Sequence, residues 1–159
     1  MKLALLLGCL LLAPLASLVL FAPFAAAQAM APAADYSGMY SFLREGEFVQ
    51  ITIEDKGTVS GFISRFGDSE SDHGVFLDQF FKTGKFEADK LTFTTETVHG
   101  IWFEFAGVLV RGSGKKPEEE GYYVARGKLT RFSTDAEKKT TSQVRQVEFK
   151  SFPRDTMPN

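Results

Sequence analysis

From Tyr36 onward the chain alternates apolar and polar residues in short runs separated by turn residues. That period of two is the mark of strands with one face on a core. About eight such runs occur, near 36–44, 47–54, 58–66, 75–82, 90–98, 100–111, 121–132 and 141–152. No stretch keeps apolar residues at helical spacing over three turns. The run Gly74-Val75-Phe76-Leu77-Asp78-Gln79-Phe80-Phe81 reads either as a short helix or as a strand.

The alternation also predicts partners. Val49, Ile51 and Ile53 share one face, as do Val59, Gly61 and Ile63, and Asp55-Lys56-Gly57 lies between them. A three-residue loop ending in a left-handed glycine closes a hairpin. Glu54 then faces Thr58, Ile53 faces Val59, Ile51 faces Gly61 and Val49 faces Ile63. In the sixth and seventh runs, centring the loop on Lys116 sets Leu109 against Tyr123, Gly107 against Ala125, Phe105 against Gly127 and Phe103 against Leu129. On the opposite face this register sets Val110 against Tyr122, Val108 against Val124 and Glu104 against Lys128, an opposite-charge pair.

Gly61, Gly107 and Gly127 fall mid-strand on the apolar faces. Glycine weakens a strand unless a bend or a close backbone approach needs it, and a closing barrel needs both. The pattern therefore predicts an all-β fold, an eight-stranded antiparallel up-and-down barrel, with a two-sheet β-sandwich as the alternative.

Ahead of the strands lies a different segment. Met1-Lys2 precedes an uncharged run, Leu3 to Ala27, that closes in Ala25-Ala26-Ala27-Gln28-Ala29. Small residues at −3 and −1 are what signal peptidase admits, so 1–27 reads as a helical secretory signal peptide cut after Ala27 or Ala29. An uncleaved anchor is opposed by Pro14 and Pro23. A lipidated Cys9 in Leu6-Leu7-Gly8-Cys9 is opposed by the long apolar run that follows it. The expected layout is signal peptide 1–27, linker 28–35, barrel 36–152 and tail 153–159. The expected location is exported, periplasmic or secreted, with no membrane contact after cleavage.

Export changes the chemistry on offer. Cys9 is the only cysteine and leaves with the leader, so no disulfide, thiolate nucleophile or cysteine zinc site is expected. The chain carries 18 Lys+Arg against 20 Asp+Glu, and losing Lys2 makes it more acidic still. No basic field points to nucleic acid.

Gly38-Met39-Tyr40, Gly57-Thr58-Val59-Ser60-Gly61, Gly84-Lys85-Phe86 and Leu91-Thr92-Phe93-Thr94, followed by the meander from Trp102 to Gly107, resemble the calycin group of lipocalin- and avidin-like barrels. The resemblance covers roughly 36–152 and implies fold, not activity. Lipocalins usually carry Gly-x-Trp where this chain has Gly38-Met39-Tyr40, with an arginine of a late strand stacked on that Trp. The resemblance makes Arg145 the counterpart. Avidin-like biotin sites use several tryptophans and this chain has one, which argues against biotin. The chain is also similar to exported bacterial proteins without an assigned function.

The polar motifs carry little chemistry. Asp68-Ser69-Glu70-Ser71-Asp72-His73-Gly74 alternates carboxylates, but His73 stands where an EF-hand needs glycine and Gln79 where it needs glutamate. His73 and His99 are the only histidines, too few for a zinc site. Ser113 in Gly112-Ser113-Gly114-Lys115-Lys116 fits neither a nucleophile elbow nor a phosphate loop. A hydrolase would have to use His99 with Glu96 or Glu104. Paired acids such as Glu96, Glu104 and Asp78 could serve a glycosidase only if held close together. No catalytic residue, metal or cofactor is assigned.

Aromatics are the stronger signal, with 16 phenylalanines, of which Phe21 and Phe24 lie in the leader. They either fill the barrel or leave a cavity for one small apolar molecule. In the second case Tyr40, Phe93, Phe103, Phe105 and Tyr123 line it. Trp102, Val108, Val110, Tyr122 and Val124, with Val98, form an outer apolar set suited to a homo-oligomer or another partner, unless 75–81 covers it. The expectation is a non-enzymatic exported barrel that binds a small apolar molecule. The alternatives are an envelope interaction module using the outer set, and a hydrolase.

Overall fold

The computed structural model describes residues 36–68 and 72–154. The expected leader, its cleavage site, the linker and the tail beyond residue 154 lie outside the described residues.

Eight strands form where the alternation runs: β1 (Gly38–Ser41), β2 (Phe48–Ile53), β3 (Val59–Phe66), β4 (Phe76–Glu87), β5 (Lys90–Thr95), β6 (Ile101–Arg111), β7 (Tyr123–Thr134) and β8 (Thr140–Lys150). Each pairs antiparallel with the next in chain order. Tyr40 bridges Ser151, and the Phe152 amide donates to the Met39 carbonyl at 2.9 Å, so the last strand returns to the first. This is the up-and-down barrel, and the sandwich alternative falls because every strand neighbours its sequence successor in one curled sheet.

The ambiguous run is strand, not helix. It continues to Glu87, beyond the expected end at 82, through a bulge between Phe81 and Thr83. A bulge bends its strand and increases the local twist. The first half of β4 thus pairs with β3 and the second half with β5.

The first hairpin has the expected register: Ile53 opposite Val59, Ile51 opposite Gly61 and Val49 opposite Ile63. The second is slipped by two residues. Leu109 faces Ala125, Gly107 faces Gly127, Phe105 faces Leu129 and Phe103 faces Arg131. Glu104 lies opposite Thr130 and Lys128 opposite Ala106, so the expected charge pair does not face across the strands. A slip of two leaves every side chain on its own face, so alternation cannot detect it. Backbone proximity decides it instead. A Cβ at Gly107 would stand 2.1 Å from the Arg126 carbonyl oxygen, and one at Gly127 2.4 Å from that of Ala106. Only two glycines can face each other there. The Phe105 ring covers Gly107 of its own strand rather than Gly127.

The interior is filled by side chains. Val49, Ile51, Ile63, Leu91, Leu109, Leu129 and Phe149 are buried inside it. A chain of rings runs Phe81–Phe93–Phe105–Phe149–Phe42–Phe103, with successive centroids 4.3, 5.2, 5.6, 5.2 and 5.5 Å apart. Such contacts add roughly 0.5–1.5 kcal/mol each beyond the area they bury.

Candidate functional site at the barrel mouth

An up-and-down barrel gathers alternate connections at opposite ends. The loops after β2, β4 and β6 and the segment after β8 share one end; the connections after β1, β3, β5 and β7 share the other.

The first end is plugged. The Tyr36 ring lies 4.6 Å from Tyr123 and 5.5 Å from Phe86, and the Tyr40 hydroxyl donates to the Tyr36 carbonyl. Arg154 Nη2 donates to the Ser37 carbonyl at 2.6 Å, with its guanidinium 5.3 Å from the Tyr123 ring. Arg154 also lies 3.7 Å from where a Cβ on Gly38 would sit. The arginine beside Gly38-Met39-Tyr40 is therefore Arg154, not Arg145. β8 starts at the opposite end, so the chain reaches β1 only at its last residues.

At the second end the inner face keeps its parity but changes its chemistry. The inward series of β3 runs Val59, Gly61, Ile63 and then Arg65. That of β7 passes from Leu129 to Arg131, which faces Phe103 on one side and Gln143 on the other. On β8, Arg145 faces Leu129. Just before β2, Glu47 is buried.

These groups form one network. Arg65 is 2% exposed. It donates through Nε to Gln79 Oε1 at 2.6 Å, and through Nη1 to the Phe66 carbonyl at 3.1 Å and Asp68 Oδ2 at 3.2 Å. Gln79 is fixed in turn by donating to the carbonyls of Glu96 (3.1 Å) and Ile101 (2.9 Å). Arg44 donates to Glu47 Oε1 at 2.9 Å and to Asp68 Oδ1 at 3.0 Å, and Arg131 reaches Asp68 Oδ2 at 3.2 Å. The Phe66 amide donates to Glu47 Oε1 at 3.1 Å. Burial above all pushes the Arg65 guanidinium below its ordinary range, while the Asp68 carboxylate works against that shift; an arginine still carries its charge at neutral pH. Its cation lies 5.7 Å from the Phe103 ring. Between these groups opens a recess of about 300 Å³, bordered also by Phe42, Leu43 and Arg145.

Of the five expected ligand residues, Phe103 borders this recess. Tyr40 and Tyr123 belong to the plugged end, while Phe93 and Phe105 pack in mid-core. In the outer set, Val124 is buried, Val108 and Val110 are partly buried, Trp102 stacks on Phe132 at 4.8 Å, and Arg111 lies 3.3 Å above Tyr122. The more exposed aromatics are elsewhere, at Phe76 and Phe80 on the outside of β4. A second recess, of about 280 Å³, lies among Thr92, Thr94, Glu104, Lys128 and Thr130, and the expected ligand residues Phe93 and Phe105 also border it.

The acidic run is divided. Asp68 joins the arginines, Asp72 Oδ2 lies 2.6 Å from His99 Nδ1, and Ser69 to Ser71 lie outside the described residues. Among the described residues, no three His, Cys, Asp or Glu gather closely enough to hold a metal. Glu96 and Glu104 are exposed.

Reading the sequence for apolar groups passed over Arg65, Arg131, Glu47 and Gln79. The available signal was parity: Arg65 falls two residues after Ile63, in the inward phase of its strand.

This fold is a calycin-type β-barrel resembling the avidin family. It is similar to rhizavidin, at TM-score 0.57 and 11% identity over 77% of this chain and 87% of that one. The rhizavidin–biotin complex matches at 0.56 and 11%, over 78% and 98%, and apo short afifavidin at 0.52 and 12%, over 73% and 95%. A scan against protein-family models and a search of curated proteins find no match.

Proposed function

We propose that this protein is an exported, non-enzymatic barrel that holds one small molecule at its mouth. The observation that carries the reading is the recess where the inner face turns from apolar to polar, above a filled core. A rigid, preformed concavity with an apolar floor and a few convergent polar groups is what small-molecule sites have in common. Support also comes from the fold: rhizavidin, a barrel of this kind, is described in complex with biotin. The apolar part of the ligand rests on Phe42, Leu43 and Phe103 at the mouth, instead of entering the space between Tyr40, Phe93, Phe105 and Tyr123.

Native mass spectrometry of the full-length chain, paired with displacement of an anilinonaphthalene sulfonate probe, tests this. One bound molecule per chain and a displaceable probe are expected. Neither adduct nor displacement would remove the reading. Export is tested separately, by N-terminal sequencing of the protein from outside the cytoplasm, which should begin at Gln28 or Met30.

A further inference from the structure

We infer that the mouth binds a small organic acid, its carboxylate or equivalent oxyanion seated on Arg65 and Arg131 in the place Asp68 now takes. The inference rests on the mouth being a small-molecule site and names the class of its ligand.

Charge is the first argument. The whole chain has a formal net charge of −2. Yet the recess is bordered by four arginines, Arg44, Arg65, Arg131 and Arg145, against two carboxylates, Glu47 and Asp68. An acidic protein has concentrated positive charge at one concave place. Guanidinium groups are suited to recognising carboxylates there, because their donors form a rigid fork.

Unmet donor capacity is the second. Arg65 Nη2 is buried and has no hydrogen-bond partner among the described residues. Leaving a buried donor without an acceptor is costly, so on a side chain that borders the recess it points to an acceptor that arrives with a ligand.

The third is that the two carboxylates differ. Glu47 is held by Arg44 and the Phe66 amide, with its side chain only 1% exposed. Asp68 lies beyond the end of β3, its side chain 37% exposed, and three arginines reach it at 3.0–3.2 Å. Glu47 is part of the scaffold. Asp68 shows where a carboxylate fits and is exposed enough to give way to another. Gln79 holds Arg65 in position beforehand, so little ordering cost remains when an anion arrives. Phe103 beneath Arg65, with Phe42 beside it, offers a surface for a flat or apolar body.

Calorimetric titration of the full-length chain with 2-naphthoate, 2-naphthalenemethanol and inorganic phosphate tests the inference. The acid should bind at least about tenfold more tightly than the alcohol, and its affinity should fall with added salt. Arg131→Met should abolish the preference, and Asp68→Asn should tighten naphthoate several-fold by removing the internal competitor. If Arg131→Met folds poorly, Arg131→Lys, which keeps the charge but loses the rigid fork, should weaken the preference for the acid; an unchanged preference would overturn the seat. Equal binding of acid and alcohol would overturn the anion seat and leave the small-molecule reading standing. Phosphate binding without naphthoate binding would overturn the organic body. Failure of all three probes would overturn both readings.

Discussion

Both ends of the barrel set an arginine near an aromatic ring, Arg154 by Tyr123 and Arg65 by Phe103, and only one end is closed. At the closed end Arg154 donates to a backbone carbonyl, and its own amide donates to the Pro117 carbonyl at 3.0 Å. The cation there ties segments of the same chain together. At the mouth, Arg44, Arg65 and Arg131 converge on one partly exposed carboxylate beside an open recess. The same pairing of groups ties the Ser37 carbonyl in place at one end, and at the other faces a carboxylate exposed enough to be exchanged.

The largest effect that sharpens this contrast is expected from Tyr123→Ala. Removing a buried ring packed against Tyr36 and Tyr122 should cost about 3–5 kcal/mol in urea unfolding. Naphthoate affinity of the folded fraction should stay within about twofold, since the ends bind through separate residues. A large loss of affinity would show that the two ends act as one.

A middling effect comes from comparing two arginines. Arg154→Met should lose about 1–3 kcal/mol, the worth of a half-buried charged hydrogen bond. Arg131→Met breaks an ion pair between groups 30% and 37% exposed and should lose under about 1 kcal/mol. Equal losses in thermal and urea melts would make the mouth as structural as the plug.

The smallest effect near neutrality separates the ends by pH. Burial above all pushes the Tyr40 hydroxyl above its ordinary 10.0, with Arg154 pulling it back. The folded state keeps that proton after the unfolded chain releases it. The contribution is therefore whole below pH 10 and declines as pH rises, by about 1.4 kcal/mol per unit. Urea midpoints measured between pH 9 and 11.5 should fall, and Tyr40→Phe should flatten the fall. An unchanged slope in that variant would place the alkaline sensitivity elsewhere.

The strands themselves were legible because alternation is local. Val49-Gln50-Ile51-Thr52-Ile53 states its inner face without reference to any partner, and the three-residue turn after Glu54 fixes the partner of each residue as well. The longer loop between β6 and β7 leaves room for a slip of two, and no side-chain pattern opposes it. The meeting of Gly107 and Gly127 had to decide. The bulge in β4 was equally hidden, since its role is to turn one strand between two neighbours.

The site was less legible than the fold, for a related reason. In a list of residues Arg65, Arg131 and Glu47 resemble any surface charges, while the phenylalanines look like a ligand cavity. The rings turned on one another and filled the interior; the charges, held in inward phase by the pleat, were carried to its rim. What the sequence by itself determined is which face each side chain occupies, because parity is set by neighbours along one strand. Only the closed sheet decided which inward residues meet, and so which are core and which are mouth, because that depends on register and closure across strands far apart in the chain.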